Sequence, residues 1–197
     1  MAPGAGADRR ARGGRVHLSD HEALAARVDE CPRAVWSGEA WRHLRLGRDP
    51  LSGSGARRFG GRWNPPESFA VLYLGVTQAA VIAEFRRLVA KQSFGAQDLM
   101  PRGFYRYEVA IHDALDLRDG ATREQLGLSD QQLFGEDRSA CQAIGRAAFA
   151  NERTAVIAPS ATGHDDVLAV FLDHVSGAST VTVGDYEVWE EPPGDER

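Results

Sequence analysis

The sequence lacks the features that would place it in several common function classes. Its 197 residues include two cysteines, Cys31 and Cys141. That is too few for a disulfide framework, and neither lies in a Cys-x-x-Cys pair or beside clustered histidines, so a reducing cytoplasm is the expected compartment. There is no basic surplus: 23 Lys and Arg stand against 28 Asp and Glu, a formal net charge of −5. A protein that grips nucleic acid needs a cation for each phosphate contact, so direct DNA binding by this chain is not expected. No run approaches the roughly 20 apolar residues needed to cross a bilayer. Arg9-Arg10 suggests a twin-arginine signal, but no apolar segment follows it. Internal repeats, heptads, a Walker Gly-Lys-Ser/Thr and Rossmann glycine spacing are also missing.

What is present is globular. Hydrophobic residues make up 43% and charged residues 26%, as in an ordinary packed domain, and division into two would leave each half a thin core. Residues 1–14, rich in Ala, Gly, Pro and Arg without periodicity, read as a flexible leader. Residues 15–190 form the expected domain and 191–197 a short tail.

Ser19 and Glu22 have capping-box spacing ahead of Leu24, Ala25 and Val28, which predicts a first helix. Residues 41–46 read as a strand, 69–74 as a short buried strand, and Thr77 as the cap of a helix over 78–89. Alternation at Tyr105, Tyr107, Val109 and Ile111 predicts a half-exposed strand, with another near 115–117. A helix over 138–150 and strands at 155–158, 167–172 and 180–189 complete an α+β chain: a compact single domain with a mixed, mainly antiparallel sheet and flanking helices.

Between the first two strands, residues 47–66 have neither helical nor strand period. A structureless loop of about 20 residues in a compact domain is commonly functional. Its glycines, Gly53, Gly55, Gly60 and Gly61, permit close backbone approach to a ligand, and Arg57, Arg58 and Arg62 offer guanidinium groups to its anions. A solvated surface loop is the bland alternative. Glu84 falls on the flank of the helical stripe formed by Val81, Phe85 and Leu88, where a partly buried carboxylate needs a cation or a purpose; an exposed pair with Arg87 is the alternative. Ser139 stands at a helix start, as a cap or an anion donor. Arg42 and His43 lie in the early strand, where Arg42 reads as either a surface or a site cation. His112 with Asp113 and Asp116, and His164 with Asp165 and Asp166, lack metal-ligand spacing and read as polar strand ends, so no metal is expected.

Taken together, Leu51-Ser52-Gly53, Gly60-Gly61-Arg62-Trp63-Asn64-Pro65, Leu72-Tyr73-Leu74, Glu84 and Ser139-Ala140-Cys141-Gln142 resemble the RES domain, named for Arg, Glu and Ser. The resemblance runs from about Trp41 to at least Phe149. It implies a fold similar to diphtheria-toxin-like ADP-ribosyltransferases, and the toxin half of a bacterial toxin–antitoxin pair that cleaves the nicotinamide–ribose bond of NAD⁺ by phosphorolysis or hydrolysis. Protein ADP-ribosylation is the rival activity, and an inactive module of a regulatory complex a remoter one. NAD⁺ would be a substrate with no resident cofactor, inorganic phosphate a possible co-substrate. An Xre-like helix-turn-helix antitoxin would be the partner in an oligomeric complex. Carried over by residue, the implied catalytic set is Arg62, Glu84 and Ser139, and the substrate-binding set is Arg42, His43, Arg62, Tyr73 and Ser139. His43 stands where a tyrosine often occurs in the family.

That chemistry suits a lone carboxylate. Nicotinamide departs from a cationic pyridinium and needs no proton, so Glu84 has only to steady an oxocarbenium-like ribose or orient the nucleophile, unlike the paired acids of glycosidases. On this reading Arg42 and Arg62 hold phosphate oxygens bidentately, Tyr73 stacks on nicotinamide or walls the pocket, and Ser139 adds a hydroxyl and backbone donors.

Overall fold

The computed structural model describes residues 18–194 apart from 94 and 164; the expected leader and His164 lie outside the described residues. The elements run α1 (Leu18–Glu30), β1 (Ala34–Arg45), α2 (Ser54–Phe59), β2 (Val71–Gly75), α3 (Gln78–Ala90), β3 (Arg102–Asp116), α4 (Gly120–Leu126), α5 (Asp130–Phe134), α6 (Ser139–Ala150), β4 (Ala155–Pro159), β5 (Asp166–Phe171) and β6 (Thr180–Trp189). Among the described residues no helix is long and apolar enough to cross a membrane.

The strands follow the order β1-β2-β5-β4-β3-β6, and β1 also pairs with β3, so the pairings close into a circuit with β6 on its outer side. Every pairing is antiparallel except β3 with β4. The long strand β3, 15 residues, makes the closure possible. Its first part lies between β1 and β6, and its end, Ala114 to Asp116, runs parallel to Ala155 to Ile157 of β4. The two strands expected at 105–111 and 115–117 are therefore one.

The period of two along β2, β4 and β5 sorts their side chains into separate cores. Val71, Val156, Ala158, Ala169 and Phe171 pack beneath α1 and α6 with Val28, Cys141, Ile144 and Ala148. Their neighbours Leu72, Leu74, Ala155, Ile157, Leu168 and Val170 face the other way, onto Ala40, Leu44, Tyr107, Val109 and Ile111 of β1 and β3. Strands covered on both faces read as continuous apolar runs, which is why these segments show no polar alternation. The result is a layer of helices on one sheet face and a second stretch of sheet on the other. Cys31 and Cys141 are both buried and free.

The sequence leaves 47–66 without structure, yet Ser54–Phe59 forms a short helix, α2, whose residues include none that is buried. The first strand starts at Ala34, well before residue 41. Two short helices precede α6. Asp119 caps α4, accepting from the amides of Ala121 and Thr122, and Gly127 closes it in the left-handed region. Ser129 and Gln132 form a capping box on α5. Thr77 caps α3 as expected, its hydroxyl accepting from Ala80 N at 3.2 Å.

Candidate active site

A cavity of about 370 Å³ opens between β1, the loop before β2, α3 and the turn after β4. Its wall includes Arg42, His43, Arg62, Tyr73 and Glu84, so residues far apart in the chain meet there. Ser139 is not among the lining residues; its neighbour Arg138 is. Ser139 is exposed in the first turn of α6, and its amide donates to Asp137 Oδ1 at 2.9 Å. The helix is entered through Arg138 with no side-chain cap. The capping role expected of Ser139 is thereby corrected: it sits inside the helix, and its own polar groups serve Asp137.

The segment Gly60–Asn64 is fixed from every side. Tyr73 Oη accepts from Trp63 N at 2.8 Å and donates to Asn64 Oδ1 at 2.8 Å. Asn64 Nδ2 donates to Ala56 O at 2.7 Å, and Gly61 N to Asn64 O at 2.9 Å. Gln142 on α6 donates to Gly61 O at 2.9 Å. The glycines here serve close approach. A Cβ on Gly61 would lie 2.4 Å from Tyr73 Oη, and one on Gly145 of α6 would lie 1.9 Å from Trp63 O. Trp63 is fully buried in the helix-side core.

The arginines are occupied as well. Arg62 donates from Nη1 to Leu133 O (2.7 Å) and from Nη2 to Gly135 O (3.1 Å), tying the loop to the end of α5. Arg42 shares the strand face of Ala40 and Leu44 and donates from Nη1 to Pro50 O (3.3 Å) and Ser52 O (3.1 Å). Burial lowers its pKa, with Tyr107 opposing. Tyr107 Oη donates to the same Pro50 O at 2.7 Å, and burial pushes that phenol up to about 12. The hydroxyl of Tyr73 is likewise held above the ordinary phenol range by burial, against the Trp63 amide and the charges of Arg138 and Arg62.

His43 is neutral. Burial, with Arg102 and Arg42 adding to it, pulls its pKa down to about 3. Arg102 Nε donates to His43 Nδ1 at 2.7 Å, which places the imidazole proton on Nε2. The ring stacks on Trp189 and meets the edge of Phe85.

Glu84 reaches the cavity from α3. It is exposed, not partly buried as its helical position suggested, and it does not pair with Arg87. Arg87 and Lys91 instead share Glu136, at 3.0 and 2.6 Å, and these hydrogen bonds hold the Glu136 carboxyl down at about 2. Glu84 Oε1 accepts from Ser160 Oγ at 3.4 Å, and among the described residues it makes no ion pair. The other lining carboxylate, Asp166, pairs with Arg118 at 3.5 Å; burial raises its pKa and Arg118 opposes. Sequence reading passed over Arg138 and Ser160 as site residues, and set Asp166 aside as a polar strand end. Arg138 adjoins a residue already singled out, and Ser160 follows directly on β4, so strand-end position was the available signal. Among the described residues no group of three or more His, Cys, Asp or Glu is placed to hold a metal.

The cavity of this small α+β domain thus joins guanidinium groups, suited to an anionic small molecule, with a carboxylate that among the described residues makes no ion pair. The RES domain model matches residues 39–189, and the chain belongs to the RES domain family. It is 37% identical over 144 residues to the NAD(+) phosphorylase MbcT of Mycobacterium bovis, a match covering 72% of this chain and 77% of that protein. MbcT of Mycobacterium tuberculosis matches to the same extent. Among solved structures, the M. tuberculosis MbcT–MbcA toxin–antitoxin complex superposes with a TM-score of 0.77 at 31% identity, covering 85% of this chain and 92% of the matched one.

Proposed function

We propose that this RES-family protein is the toxin of a toxin–antitoxin pair and cleaves the nicotinamide–ribose bond of NAD⁺ by phosphorolysis. The observation that carries the reading is Glu84, which among the described residues makes no ion pair, on a cavity also bordered by Arg42, Arg62, Arg87, Lys91 and Arg138. Likeness to a protein named NAD(+) phosphorylase supports it.

As the C1′–N1 bond breaks, its electron pair leaves with nicotinamide, which becomes neutral, and positive charge develops on the ribose. Glu84 stabilises that charge, most strongly once the bound substrate excludes water from the exposed carboxylate. A phosphate oxygen then bonds to C1′, giving nicotinamide and a phosphorylated ADP-ribose. Arg42 and Arg62 each have N–H groups beyond those holding the loops, and they supply positive potential for phosphate oxygens. Tyr73 walls the cavity. Its hydroxyl is spent on the loop, so its part is support and ring contact. The neutral His43 offers an Nε2–H donor and no charge, which suits a polar group of the substrate such as the nicotinamide amide. Ser139, outside the cavity wall, acts only indirectly, through its hydrogen bond to Asp137 in the first turn of α6.

NAD⁺ is the substrate and no resident cofactor is required. The fold reads as similar to the diphtheria-toxin-like ADP-ribosyltransferases, whose chemistry shares the same bond cleavage. The partner is a small antitoxin covering the cavity mouth in an oligomeric complex, and the place of action is the cytoplasm, in keeping with the free buried thiols.

Purified protein incubated with NAD⁺ is expected to release nicotinamide faster when inorganic phosphate is added, with ADP-ribose recovered carrying a new phosphate by mass. Release indifferent to phosphate, with plain ADP-ribose, would replace phosphorolysis by hydrolysis. Radiolabel moving from NAD⁺ onto protein would favour ADP-ribosylation.

A further inference from the structure

The cavity cations differ in what they have left to offer. Arg62 is fastened to two backbone carbonyls and Arg42 to two others. Arg87 and Lys91 are both engaged by the one carboxylate of Glu136. Arg138 alone among these, within the described residues, has no hydrogen bond or ion pair from its side chain. It lines the cavity and is exposed, and its charge reaches inward far enough to act on the buried hydroxyl of Tyr73.

We propose that Arg138 is the guanidinium that receives the phosphate group in this cavity, an inference that rests on the reading of the cavity as a phosphate-using active site. A guanidinium with all its donors free binds a phosphate bidentately. A guanidinium already clamped to carbonyls cannot turn to meet an incoming anion, so Arg42 and Arg62 shape the seat and Arg138 closes on the occupant. It stands immediately before Ser139, as the residue that enters α6, and shares the cavity wall with Gly61 and Tyr73. Two phosphate sources share this chemistry: the attacking inorganic phosphate and the pyrophosphate of the dinucleotide. Arg138 is a binding residue here, and Glu84 remains the group at the reacting carbon.

The test is calorimetric titration of the full chain with inorganic phosphate and, separately, with ADP-ribose. The variants are Arg138→Met, Arg138→Lys and, as a charge control on the same helix, the exposed Arg146→Met. Arg138→Met is expected to weaken one of these ligands by about tenfold, Arg138→Lys by less, and Arg146→Met not at all. Loss confined to inorganic phosphate assigns the seat to the attacking phosphate, and loss confined to ADP-ribose assigns it to the pyrophosphate. In turnover the same variant raises KM for the affected species and leaves kcat nearly unchanged. Unchanged affinity for both ligands, or equal losses in Arg146→Met, overturns the proposal. Wild-type protein that binds phosphate through Arg138 yet releases no nicotinamide overturns the functional reading and leaves the binding site standing.

Discussion

The Gly60–Asn64 loop and the rim formed by Glu84, Ser160 and Arg138 border the same cavity and are built in opposite ways. In the loop nearly every polar group is consumed: the Tyr73 hydroxyl, the Asn64 amide, the Gln142 amide and the Arg62 guanidinium are all engaged. On the rim, Ser160 is bonded to Thr162, but within the described residues Glu84 has one long contact to a hydroxyl and the Arg138 side chain has none. The most recognisable string in the sequence is thus largely a piece of architecture. On the proposed function the chemistry falls to side chains that this architecture leaves unsatisfied, and preorganisation of the wall makes a few free groups effective.

The loop should break hardest. Gly145→Ala puts a methyl into the backbone of Trp63, and neither backbone can yield cheaply. A loss of about 3 kcal/mol or more in denaturant unfolding is expected, and a loss under about 1 kcal/mol would show that the loop is softer than its contacts imply. Tyr73→Phe strands the Trp63 amide and the Asn64 carbonyl, and should cost about 2 kcal/mol. A neutral result would mean that water replaces the hydroxyl.

Much of this was legible beforehand. The motif string, Thr77 and Glu84 pointed to the right elements, and the alternating and continuous apolar runs gave the strands. What was not legible is non-local. Nothing in the period of β3 reveals that its end crosses to pair with β4. The expected Glu84–Arg87 pair gave way because Glu136, from a distant segment, captures Arg87 and Lys91 together. The interior of the 47–66 loop hid α2, whose residues are too exposed to show an apolar stripe. The helices α4 and α5 did carry signals, Asp119 with Gly127 and Ser129 with Gln132, but five- and seven-residue helices lack the apolar period that announces longer ones.

His43, on the same cavity, gives a pH test. His43 has a pKa near 3 in the folded protein, against about 6.5 unfolded. Between those values the unfolded chain binds the extra proton, so His43 stabilises fully above pH 6.5 and its contribution is lost as pH falls towards 3. The expected slope is at most about 1.4 kcal/mol per pH unit, and His43→Gln should flatten the stability curve in that window. An unchanged slope would remove His43 from the acid response. The smallest effect is expected on the rim: Glu136→Gln releases Arg87 and Lys91 and should tighten phosphate binding by about twofold, as befits exposed ion pairs. Weaker binding would contradict the view that Glu136 competes with the ligand for those cations.

The central claim, that an unpaired carboxylate on a rigid cationic wall performs the cleavage, is tested most directly by nicotinamide release from NAD⁺ in wild type and Glu84→Gln at saturating phosphate. The account predicts that the variant melts at the same temperature and turns over about a hundred- to a thousandfold more slowly. Equal rates from equally folded proteins would contradict it.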